Sequence, residues 1–224
     1  LLGCISYSKE SLALLFGVFL VIGVYEFCKI VRINLLISLC IASVSYFLLW
    51  NQYDHLVAKT IITSISILTS IKLLLYLFNS EKTGFSIATN YCLLIGYIVI
   101  PFILVNYVAI GVKGYNPKIL ISILILIWTN DTFAYIVGKN IGKTKLFPSV
   151  SPKKTIEGFV GGVIFTIISS VLLSKFFIES KILYIWITIA IIVSIFSTLG
   201  DLIQSKFKRV AGIKDSGKIM PGHG

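Results

Sequence analysis

Apolar residues recur in long runs, separated by short polar connectors, from one end of the chain to the other. Seven runs can be drawn, at approximately residues 11–27, 33–50, 60–78, 87–110, 119–137, 158–177 and 183–203. Most approach the roughly 20 residues with which an α-helix crosses a hydrocarbon core of about 30 Å. Lipid offers no water to backbone amides, so each must pair within its own segment, and the runs predict helices. The strict alternation that marks a membrane β-barrel is absent. A secretory signal peptide does not account for the pattern, because apolar runs continue almost to the end. The expected fold class is all-α: a polytopic transmembrane helical bundle with about seven spans.

Composition strengthens this reading. Of 224 residues, 57% are hydrophobic and 13% charged, the latter about half the share usual in soluble domains. A mean hydropathy of +0.96 excludes a water-soluble globule. The net charge of +11 would suit nucleic acid. However, Lys and Arg sit in the connectors, as the positive-inside rule expects, so no nucleic-acid partner is expected. One set of alternate connectors holds Lys29, Lys82, the lysines of 139–154 and the basic cluster of 206–218. It carries roughly twice the Lys and Arg of the other set, which places it in the cytoplasm. Cys4, Cys28, Cys40 and Cys92 form no CxxC pair and read as small hydrophobes. The chain opens on Leu1, has its single Met at position 220 and stops at Gly224 inside a polar motif. A piece truncated at both ends is therefore expected.

Polar, Gly-rich and charged residues gather after Asn130. The expected organisation is a run of N-terminal transmembrane helices over 1–118 and a catalytic transmembrane region with cytoplasmic polar loops over 119–224. Asp131 follows a nearly unbroken apolar stretch. A carboxylate at membrane depth costs a few kcal/mol, so it is expected to face a polar cavity rather than merely to end a helix. The stretch Gly138 to Thr144 looks like a phosphate loop, but GxxxxGK[ST] would need a Gly where Val137 stands, and no strand precedes it. Ser151 before Pro152 suits a helix N-cap with proline at the first position. Glu157 then falls near the helix start, with Lys153 and Lys154 flanking an anion site.

A third cluster runs Ser197-Thr-Leu-Gly-Asp-Leu-Ile-Gln-Ser-Lys-Phe-Lys-Arg209 and continues through Lys214, Asp215 and Lys218 to His223 and Gly224. Asp201 is expected at the end of an apolar helix, with Ser205 on the same face at i+4. Asp215 lies in a Gly-flanked loop. Carboxylates beside phosphate-binding lysines are what Mg²⁺ requires, with substrate phosphates completing its shell. Lys208, Arg209, Lys214 and Lys218 can neutralise the remaining phosphate charge.

This last run closely resembles the signature of the phosphatidate cytidylyltransferases, also called CDP-diacylglycerol synthases. Asn130-Asp-Thr-Phe-Ala-Tyr135 and Ser151-Pro-Lys-Lys-Thr-Ile-Glu-Gly158 resemble that family too. The likeness covers about the last hundred residues; the first half matches only as apolar helices. In the family a further Gly and a Leu-Asp-Arg element follow. The resemblance implies transfer of a cytidylyl group from CTP to phosphatidate, with Mg²⁺ and room for a second cation. It implies Asp201 and Asp215 as metal ligands and Asp131 as a polar-cavity residue. Ser151, Lys153, Lys154, Ser205, Lys208, Arg209, Lys214 and His223 would then contact phosphates or nucleotide, with Glu157 in the same catalytic set. Membrane lipid is an implied partner, a homodimer is compatible, and a bacterial inner membrane is the implied location. The rivals are a CTP-dependent kinase of polyprenol or another lipid alcohol, which transfers the γ-phosphoryl, and a transporter. A transporter would spread polar groups through several broken helices, whereas here they gather in two loops.

Overall fold

The computed structural model describes residues 1–50, 55–79, 84–111, 114–179 and 182–214. Helices dominate it: α1 (Leu2–Tyr7), α2 (Lys9–Val31), α3 (Leu35–Trp50), α4 (Leu56–Phe78), α5 (Ile87–Leu93), a π-helical segment (Leu94–Val99) and α6 (Ile100–Val108). After two short strands, β1 (Ile110–Gly111) and β2 (Gly114–Tyr115), come α7 (Pro117–Ile141), β3 (Lys145–Phe147), β4 (Ser151–Thr155), α8 (Ile156–Phe176) and α9 (Leu183–Val210). Six helical stretches among the described residues are long and apolar enough to cross a membrane, with α5, the π segment and α6 counting as one. The remaining apolar run forms α3, which has 16 residues. The chain is a multi-pass helical membrane protein. The sequence-predicted helical bundle is thus observed.

Contacts divide the chain into two compact units, Leu1–Tyr115 with Lys206–Gly224, and Asn116–Ser205.

In the first unit, Ser8 caps α2 by accepting from the Ser11 amide, and Arg32 closes it in the left-handed region at φ 58°. The π segment precedes Pro101, which lacks an N–H and whose ring would strike the carbonyl four residues back in a regular helix; the wider turn relieves both. Gly96, inside that segment, admits the Thr69 side chain of α4, which any Cβ there would displace. An aromatic cluster surrounds Phe207: Tyr76 packs tilted, Phe27 edge-on and Tyr97 stacked against it, with centroids at 5.4, 6.0 and 6.0 Å.

Beside this cluster Lys206, only 5% exposed, inserts into the C-terminal end of α4. Its ammonium donates to the carbonyls of Tyr76 and Asn79, each at 2.5 Å, and lies 4.4 Å from the Tyr76 ring centroid. A cation there meets the unpaired last carbonyls and the negative end of the helix dipole. Replacing Lys206 by Met strands those carbonyls in an apolar setting, at a cost of about 1–3 kcal/mol. The thermal midpoint of the detergent-solubilised protein is expected to drop accordingly; an unchanged midpoint would remove the capping role.

In the second unit, α7 and α8 pack through small residues. A Cβ on Gly158 would lie 2.6 Å from the Ala134 carbonyl oxygen, and one on Gly161 2.6 Å from Val137. Phe133 and Phe165 stack face to face at 3.9 Å along the same seam. Such close approach is how helices associate in lipid, where apolar burial gives no net drive.

The segment between α7 and α8 corrects one expectation. Ser151 does not cap a helix: Ser151–Thr155 form β4, antiparallel to β3, with Phe147 opposite Ser151 and Lys145 opposite Thr155. The hairpin occupies the backbone that a helix start at Pro152 would need. Thr155 is the N-cap instead, in an extended conformation (φ −124°, ψ 154°), its hydroxyl accepting from the Gly158 amide at 3.2 Å. Glu157 does fall in the first helical turn, as expected. A second correction concerns Asp201, which lies within α9 rather than at its end, because the helix continues to Val210.

Candidate active site

A cavity of about 480 Å³ opens in the second unit between α7, the β3–β4 hairpin, the start of α8 and α9. This is an ordinary size for a small-molecule site. Asp131 of α7 and Asp201 of α9 both line it, as do Lys153 and Lys154 of β4. Leu146, Phe159 and Ala134 give it apolar walls. Residues distant in sequence thus place two carboxylates and the hairpin's lysines around one space.

Each is held there by a local cause. Asp131 follows the buried Asn130, whose side-chain amide donates to the Ser197 hydroxyl at 3.0 Å and so ties α7 to α9. Asn130 fits because Gly162 faces it: a Cβ there would come within 2.8 Å of its Oδ1. That Oδ1 is buried and has no hydrogen-bond partner among the described residues. Lys154 reaches across to Asp201, Nζ to Oδ2 at 2.5 Å, with the carboxylate half exposed to the cavity. The hairpin is braced by Glu157, whose carboxylate accepts from the Thr144 amide at 3.0 Å, while the Ile156 amide donates to the Thr144 carbonyl at 2.9 Å.

Of the sequence-predicted site residues, Asp131, Lys153, Lys154 and Asp201 come together. Ser151 and Glu157 lie in the same unit but are not among the residues lining the cavity. Ser205 is half-buried in α9. Lys208 and Arg209, in the last turn of α9, and the exposed Lys214 belong to the first unit. Asp215 and His223 lie outside the described residues. Sequence reading missed Tyr135, Lys139 and Thr198 as lining residues. Asp131, Tyr135 and Lys139 are spaced i, i+4, i+8, one stripe of a helix. The stripe was hidden because the apolar pattern stops at Val137, whereas α7 continues to Ile141.

A magnesium ion characteristically takes one or two carboxylates and fills its shell with water and phosphate. Two aspartates lining one cavity fit that demand. Among the described residues there is no cluster of three or more His, Cys, Asp or Glu side chains that would make an all-protein cage.

The whole chain, residues 1–224, matches the profile of the cytidylyltransferase family. It belongs to that family. Among curated members, a phosphatidate cytidylyltransferase of Staphylococcus haemolyticus is 48% identical over 101 residues, covering 45% of this chain and 38% of the relative. One from Staphylococcus epidermidis is 40% identical over 126 residues, covering 54% of this chain and 48% of the relative. The chain thus aligns with less than half the length of these curated cytidylyltransferases. The cavity gathers the carboxylates of Asp131 and Asp201 and the hairpin's lysines.

Proposed function

We propose that the protein containing this chain transfers the cytidylyl group of CTP to phosphatidate, forming CDP-diacylglycerol and pyrophosphate. The observation that carries this reading is the cavity, which joins Asp131 and Asp201, on helices of membrane length, to Lys153 and Lys154 of the β4 strand. The family membership and the names of the staphylococcal relatives support it.

In this reaction a phosphate oxygen of the lipid forms a bond to the α-phosphorus of CTP. The bond from that phosphorus to the oxygen bridging to the β-phosphorus breaks, and pyrophosphate leaves. No covalent intermediate on the protein is needed, so the chain's work is positioning and charge neutralisation. Asp201 and Asp131, with Asp215 beyond the described residues, are the groups to hold Mg²⁺. When bound, such an ion offsets the charge that builds on the phosphate oxygens. Lys154 keeps Asp201 oriented and, with Lys153, supplies positive charge to the triphosphate. The hairpin braced by Glu157 holds both lysines over the cavity. Ser205, Lys208, Arg209, Lys214 and His223 are proposed to complete the nucleotide and phosphate contacts. On this reading the cavity faces the cytoplasm from a bacterial inner membrane, as the Lys and Arg asymmetry of the connectors and the aqueous source of CTP suggest.

The test is turnover by the full-length protein in detergent micelles with Mg²⁺, CTP and phosphatidate. Pyrophosphate and a CDP-lipid, formed in equal amounts, are expected. Formation of CDP with a phosphorylated lipid alcohol would overturn the reading in favour of a lipid kinase.

A further inference from the structure

Three lysines line the cavity, and the structure distinguishes them. Lys154 is closed on Asp201 at 2.5 Å. Lys153 stands on the polar β4 strand beside the exposed Pro152. Lys139 stands in the last turn of the membrane helix α7, its ammonium 5.8 Å from the centroid of the Tyr135 ring. Neither Lys139 nor Lys153 has an ion-pair partner among the described residues.

The helix surface one turn before Lys139 is largely apolar and exposed: Tyr135 is 66% exposed and Ile136 is 42% exposed. An exposed tyrosine and lysine closing an apolar helix mark the level where lipid headgroups begin. Helical side chains lean toward the helix N-terminus, and the contact with Tyr135 shows Lys139 doing so. Its ammonium is thereby carried back along the stripe that leads to Asp131. This edge of the cavity therefore joins lipid-facing surface to the carboxylates within.

Resting on the cytidylyltransferase reading, we propose that Lys139 binds the phosphomonoester of the lipid substrate at the cavity edge, with the Tyr135 ring as the seat beneath it. The acyl chains fix the depth of that phosphate, because each buried CH₂ contributes about 0.8 kcal/mol to anchoring. A cation at the membrane-flanked edge meets the phosphate without lifting the chains. A phosphomonoester carries between one and two negative charges near neutral pH, and a lysine ammonium is a suitable point-charge partner. CTP carries no anchor and enters from water, on the side of the hairpin lysines.

Lys139→Met in the full-length protein, assayed in mixed micelles, is expected to raise KM for phosphatidate about tenfold and leave KM for CTP within about twofold. Lys139→Arg should restore most of the loss. A second readout needs no turnover: phosphatidate in micelles should protect the wild type from thermal unfolding more than diacylglycerol does, and Lys139→Met should erase that difference. A raised KM for CTP with phosphatidate unaffected would assign Lys139 to the nucleotide and overturn the proposal. A fall in kcat alone, not rescued by Arg, would also overturn it by making the residue structural. If the wild type consumes no CTP yet shows the Lys139-dependent protection, the reaction assigned above fails and the lipid-phosphate site stands.

Discussion

Asp201→Asn in the full-length protein is expected to lower kcat for CDP-diacylglycerol formation by about 10²–10³-fold, the usual effect of removing one group that stabilises charge in the transition state. Asn keeps the shape of Asp but loses the full negative charge that would hold a cation and pair with Lys154. The same substitution should hardly touch stability. The Lys154–Asp201 pair is partly exposed, with side chains 29% and 51% accessible, and pairs of that kind contribute about 1 kcal/mol or less. The thermal midpoint and membrane insertion should therefore stay near wild type. Turnover at the wild-type rate would remove Asp201 from the machinery.

Gly158→Ala should do the reverse, damaging the fold first. The added Cβ would lie 2.6 Å from the carbonyl oxygen of Ala134 and 3.0 Å from the Cα of Gly138. Both belong to the α7 backbone, which cannot rotate aside as a side chain would, so α7 and α8 must separate. Overpacking of this kind costs about 3 kcal/mol. The thermal midpoint of the purified protein should fall sharply. Activity should fall with it, because the hairpin carrying Lys153 and Lys154 is continuous with α8. Gly200→Ala is the control: among the described residues no atom beyond the surrounding helix backbone lies within 4 Å of a Cβ there, and alanine is the better helix former. A loss at Gly200 equal to that at Gly158 would show that the seam is not the cause.

These two predictions show what was legible in the sequence and what was not. The apolar runs gave the membrane helices to within a few residues, apart from the end of α9, because a helix in lipid must satisfy its own backbone and be long enough to cross. Asp131 stood out by the same logic, as a charge where a charge is costly. The start of α8 was misjudged at Ser151. Ser-Pro is a fair helix-start signal, but pairing with Lys145–Phe147 outweighs it, and strand pairing depends on residues that local signals do not include. Lys139 was not placed on the face of Asp131 and Tyr135 because polar residues prolong α7 past its apolar pattern.

The sequence by itself determined the class of the molecule and the kinds of group it has for phosphate chemistry, since length, hydropathy and residue type are local properties. Only the tertiary structure decided that Asp131, Lys153, Lys154 and Asp201 share one cavity, that Lys206 closes α4, and that Lys139 sits at an apolar edge. Those facts depend on how closely helices approach and on which backbone groups find partners. Steric fit of the Gly158 and Gly162 kind sets them, across separations in sequence that no local pattern spans.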